Sequence, residues 1–105
     1  MKPTKDNAIG TSFYGDYIHS TLKELREVMG EENKDYQSGD GKVQYQWILE
    51  MDNKDIITIY DYKEYRSIDE NEIISWHIGS HNKQSSMNAR YEIEMLLYKH
   101  RSNNT

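Results

Sequence analysis

Cysteine is absent from this chain, and proline occurs once, at Pro3. Without cysteine there is no disulfide, no thiolate metal site and no cysteine nucleophile. Apolar residues are scarce, 35% of the total, and phenylalanine occurs once, against nine tyrosines and two tryptophans. A core built from this set must be thin and lean on aromatic bodies whose polar ends stay at its edge. No apolar run approaches the roughly 18 residues that cross a bilayer. Residues 1–10 lack the apolar stretch of a secretory leader, so a soluble, cytoplasmic protein is expected. Cations are also in deficit: 13 Lys and Arg face 18 Asp and Glu, a formal charge of −5. General nucleic-acid binding, which relies on cations displacing counterions from phosphates, is thereby disfavoured. Simple solubility, or an acidic surface offered to a basic partner, remains open.

A chain of 105 residues has the size of one domain. We read residues 1–10 as a flexible tail, 11–100 as a single folded domain and 101–105 as a second flexible tail. Thr11 to Ile18 is strand-like but interrupted by Gly15, the mark of a short or bulged strand. Thr21 and Glu24 are spaced as a capping box, and Leu22, Leu25, Val28 and Met29 then form one helical stripe ending at Gly30. A polar loop follows, with a turn at Gly39 to Gly41 that precedes a strand and so lacks the helix N-terminus of a phosphate loop.

Val43, Tyr45, Trp47, Leu49 and Met51 alternate with mostly polar residues, the period of a half-buried strand. The turn Asp52 to Asp55 leads into a hairpin partner, Ile56 to Tyr62. After a charged connection, Glu72 to Ile78 reads as a strand with Ile74, Trp76 and Ile78 on one face and Ser75, His77 and Gly79 on the other. A final helix spans about Gln84 to Lys99. Met87, Tyr91, Met95 and Ala89, Ile93, Leu97 together give it a broad apolar face, and basic residues sit at its C-terminal end. The expected fold is α+β: a single antiparallel sheet in β-α-β-β-β-α order with two helices packed on one face. The other face is then wet, and function is expected there.

Several constellations compete with blander explanations. His77 and His81 have HxxxH spacing, but Gly79 and Ser80 between them and the preceding strand remove its helical meaning, and no third ligand is near, so no metal is expected. His77 with Asp61 and Ser75 meets the loosest outline of an acid–base site, though an exposed strand-end histidine has the same signature. Tyr60, Tyr62 and Tyr65 beside Lys63 and Arg66 suit an anion or nucleotide, with Arg90 as a further cation. The neighbouring acids Glu64, Asp69, Glu70 and Glu72 can neutralise that pair instead. Trp47 and Trp76 lie on the apolar parity and read as core. The candidate ligand- or partner-binding set is Tyr60, Asp61, Tyr62, Lys63, Tyr65, Arg66, His77 and Arg90. No residue is assigned as catalytic, and no cofactor is called for.

Four blocks in order, Thr11-Ser-Phe-Tyr-Gly15, Trp47-Ile-Leu-Glu50, Ile59 to Arg66 and Trp76-His-Ile-Gly79, resemble a group of small proteins encoded by tailed bacteriophages and other large DNA viruses. The similarity spans Thr11 to Lys99. It implies a viral origin and transfers no catalytic residue. By analogy with small acidic viral accessory proteins, the expectation is a non-enzymatic counter-defence factor acting in the infected cell. It would sequester a cyclic-nucleotide-type signal or bind and inhibit a host defence protein. A small nucleotide-processing enzyme using His77 and Asp61, or a structural or assembly protein, is the alternative. The uncovered sheet face and edge strands also permit a homodimer or higher homo-oligomer.

Overall fold

The computed structural model describes residues 1–4, 10–33, 42–64 and 66–103. Its elements are β1 (Lys2–Pro3), β2 (Ser12–Thr21), α1 (Leu22–Met29), β3 (Gln46–Glu50), β4 (Ile56–Tyr60), β5 (Ile73–Ser80) and α2 (Lys83–Asn103). The strands form one antiparallel sheet in the order β1-β3-β4-β5-β2, with both helices on the same side. The α+β architecture and the single antiparallel sheet follow the sequence expectation, with one short edge strand added. Among the described residues, no helix is long and apolar enough to cross a membrane.

Alternation decides what each strand buries. Trp47 and Leu49 of β3, Ile57 and Ile59 of β4, Ile74, Trp76 and Ile78 of β5, and Ile18 of β2 point toward the helices and are buried. Leu22, Leu25 and Met29 of α1 and Ala89, Ile93 and Leu97 of α2 close this core from above. Trp47 and Trp76 meet edge to face at 5.6 Å between ring centroids, a favoured geometry for aromatic pairs. Their indole N–H groups donate to the carbonyls of Gly30 (2.8 Å) and Ser20 (2.9 Å), one at each end of α1.

The capping box forms as the sequence suggests: Glu24 N donates to Thr21 Oγ1 at 3.0 Å, and Thr21 N donates to Glu24 Oε1 at 3.2 Å. Gly30 ends the helix at φ 85°, a conformation that glycine adopts without the Cβ penalty. The Glu24 carboxylate is also held by Arg101, whose Nε donates to Oε2 at 2.6 Å.

Three details depart from the sequence reading. Lys2 and Pro3, placed in a loose tail, pair with Glu50 and Leu49, and the N-terminal ammonium lies 3.3 Å from Asp52. Proline is tolerated there because β1 is the sheet edge and its missing N–H interrupts no ladder. Residues 101–103, placed in the other tail, continue α2, and Arg101 anchors them to α1. Met87, Tyr91 and Met95 are exposed, so only the Ala89, Ile93 and Leu97 stripe of α2 serves the core. Residues 5–9, the Gly39 to Gly41 turn and residues 104–105 lie outside the described residues.

Two outcomes test this frame. Thr21→Ala removes the cap acceptor and should lower unfolding free energy by about 1 kcal/mol in urea titrations. Arg101 holds the Glu24 carboxyl down to about 2 from an ordinary 4.5, helped by the Thr21 and Ser20 hydrogen bonds. A depressed folded-state pKa gives stability that is full above the unfolded value and lost as pH falls through the folded one. Stability should therefore decline between those two values, and Arg101→Gln should flatten that decline in acid denaturation curves.

Candidate functional site

The most organised feature on the face turned away from the helices is a cluster of rings around His77. His77 lies on β5 between two cross-strand partners, Tyr17 of β2 and Tyr60 of β4, each opposite it in register. Their rings stand 4.9 and 5.5 Å from the imidazole, Tyr17 edge-on and Tyr60 stacked. Phe13 at 4.5 Å and Tyr62 at 5.1 Å complete the surround.

A bulge in β2 brings Phe13 into this group. Phe13 and Tyr17 are four residues apart, yet they pair with Gly79 and His77, which are two apart. The strand absorbs the surplus around Tyr14 and Gly15, with Gly15 at φ 94°. Bulges of this kind re-aim side chains and favour glycine at the left-handed position. The two rings are thereby drawn to 5.1 Å from each other and both face His77. The same bulge turns Asp16 inward, where its buried carboxylate pairs with Lys83 (2.9 Å) and Arg90 (3.1 Å) of α2. An inward charge and a bulge both discourage further pairing at a sheet edge.

Of the residues picked out by sequence, the structure brings together Tyr60, Tyr62 and His77, with the Lys63 ammonium 5.3 Å from the Tyr62 ring centroid. Asp61 is fully buried. Its Oδ1 accepts the backbone N–H groups of Gln44 (2.8 Å) and Tyr45 (2.7 Å), fastening the segment before β3 to the end of β4. Arg66 stands apart from the cluster, bonded to Glu72 and, at 3.4 Å, to Glu64. Arg90 sits on the helix side of the sheet with Asp16 and Glu94. Tyr65 lies outside the described residues. Phe13 and Tyr17 were missed by the sequence reading; the signal available was Gly15 interrupting a run of aromatics.

Two buried side-chain atoms among the described residues have no hydrogen-bond partner, Asp61 Oδ2 and His77 Nδ1. Each pays the penalty of an unmet polar atom rather than pairing with the other. Burial pushes the His77 imidazole below its ordinary value, against the smaller opposing pull of the Asp61 and Glu64 charges. Burial also pushes the Asp61 carboxyl up, partly offset by the N–H groups of Tyr45 and Gln44. Ser75, which shares a face with His77, is instead hydrogen-bonded to His19 Nδ1 at 3.1 Å. Among the described residues no group of three or more His, Asp or Glu side chains converges as a metal-ligand set. The site is thus an aromatic surface gathered around a half-buried imidazole, suited to contact and stacking.

Compared with protein-family models, curated proteins and solved structures, the chain matches none.

The burial of His77 sets a pH dependence. Its folded pKa lies below the unfolded 6.5, so the unfolded state takes the proton first. The histidine contribution to stability is therefore full above that value and falls as pH drops through it. NMR titration should give His77 a midpoint below 6.5. His77→Phe should remove stability loss between about pH 7 and pH 5. A midpoint above 6.5 would contradict the burial argument.

Proposed function

We propose that this chain is a non-enzymatic, virus-encoded accessory protein that binds and inhibits a host protein through the aromatic surface around His77. The observation that carries the reading is the joining of Phe13, Tyr17, Tyr60 and Tyr62 around one imidazole, across three strands and a strand end. Phe13, Tyr17 and Tyr62 each remain 38–40% exposed although packed against one another and His77. Large rings held in place lose little side-chain entropy on binding and are over-represented at the energetic centres of protein interfaces. The polar ends of the tyrosines give direction to such a contact.

Charge favours a protein target over a sequestered anionic signal. Arg66 and Arg90, which a phosphate-bearing ligand would need, are engaged by acids away from the rings. Lys63 is beside Tyr62, but the Glu64 charge is felt at His77 as well. A mixed and weakly charged rim around an apolar centre is ordinary protein-interface anatomy. The viral origin, the counter-defence role and the cytoplasm of an infected cell as the place of action come from the family resemblance and from analogy.

The test is affinity capture from host extract with wild type, a Tyr17→Ala/Tyr62→Ala variant and a Tyr91→Ala/Tyr98→Ala variant on exposed α2. The reading predicts a partner held by wild type and the α2 variant, with affinity for the Tyr17/Tyr62 variant lowered by roughly a hundredfold or more. Equal capture by all three contradicts it. Calorimetric heat with a cyclic di- or trinucleotide, lost in the Tyr17/Tyr62 variant, would move the function to signal sequestration.

A further inference from the structure

Beside the Tyr60–His77 stack, the same sheet face carries a hollow of about 270 Å³ lined by Ser12, Val43, Gln46, Thr58, Tyr60 and Gly79. Strand register explains its construction. Thr58 is opposite Gly79, and Tyr60 is opposite Gln46, so these four form a contiguous patch across β3, β4 and β5. Gly79 is the floor. A Cβ there would come within 2.4 Å of Thr58 Oγ1 and 3.5 Å of Tyr60 Cε1. Its backbone is ordinary strand, so glycine is needed for space and not for conformation.

The lining has a definite chemistry. Gln46 is 8% exposed and Thr58 is 3% exposed, on a face expected from sequence to be wet. Buried polar groups are normally hydrogen-bonded. Yet neither side chain hydrogen-bonds to another described residue, while the buried atoms without partners are on Asp61 and His77. The Gln46 carboxamide and the Thr58 hydroxyl line the hollow, with no side-chain hydrogen-bond partner among the described residues. Among the described residues, no charged side chain lines it.

We infer that this hollow is a binding site for an uncharged planar heterocycle carrying adjacent hydrogen-bond donor and acceptor groups, the chemistry of a nucleobase. The carboxamide offers one donor edge and one acceptor edge, the pairing that reads an adenine ring bidentately. The hydroxyl supplies a second contact of either sense. Tyr60, already stacked on His77, provides an aromatic wall against which a flat ring packs. An anion gains nothing there, and a purely apolar ring would leave Gln46 and Thr58 unpaired. The inference goes beyond the protein-docking proposal and does not depend on it.

The test is a two-dimensional amide NMR titration of the full chain with adenosine, with guanosine, cytidine and uridine alongside. The expected result is saturable shifts centred on the Gln46 side-chain NH₂ and the amides of Thr58, Tyr60 and Gly79. Gln46→Leu and Thr58→Val should each weaken binding by roughly tenfold, with the unbound spectrum still that of a folded protein. Tyr91→Ala on α2 should leave affinity unchanged. Shifts centred elsewhere, no saturation with any nucleoside, or unchanged affinity in folded Gln46→Leu would overturn it. Because the docking test varies Tyr17 and Tyr62 and this one varies Gln46 and Thr58, either can fail alone.

Discussion

Trp47 and Trp76 come from strands on opposite sides of β4, meet edge to face under the helices, and each sends its indole N–H to a carbonyl flanking α1. A short helix of eight residues is marginal by itself. Here it is clasped at both ends by the largest side chains in the core, and its first turn is closed by the Thr21–Glu24 box. Arg101 then ties the end of α2 to Glu24, so the two helices share one carboxylate as a fastening. In a chain with so few apolar residues, two indoles that both fill volume and satisfy backbone carbonyls do the work of a larger core.

That commitment leaves the other sheet face free of core duty. β5 shows the division: Ile74, Trp76 and Ile78 go to the helices, while Ser75, His77 and Gly79 go to the opposite face. On that face the residues obey a different logic. A bulge presses Phe13 and Tyr17 together, a half-buried imidazole keeps an unmet nitrogen, and a glycine keeps a hollow open where a side chain would add packing. Local rules broken without gain to stability are expected where a surface is shaped for contact.

Much of the fold was readable because its signals are local. Period-two alternation placed Trp47, Leu49, Ile74, Trp76 and Ile78 on the buried side, and the capping box and Gly30 marked both ends of α1. The site was harder because it is assembled by pairing between distant segments. Tyr60, Tyr62 and His77 were picked out for composition, but Phe13 and Tyr17 join them only through the β2–β5 register and its bulge. Arg66 pairs with Glu64 and Glu72, two of the neighbouring acids that the sequence offered to neutralise it, whereas Asp16, the partner of Arg90, lies 74 positions earlier and cannot be assigned from sequence. The apolar face of α2 was drawn too wide because helical spacing does not say how much of a stripe the sheet covers. Lys2 and Pro3 carry no strand propensity, and only the exposed edge of β3 makes them a strand.

The central claim is that recognition occurs on the ring-bearing sheet face and not on the exposed side of α2. Site-specific photo-cross-linking inside cells that make the protein tests it most directly, with a photoreactive phenylalanine analogue placed at Tyr62 or at Tyr91, both exposed. One discrete protein adduct is expected from position 62 and none from position 91. An adduct formed only from position 91, or equally from both, would contradict it.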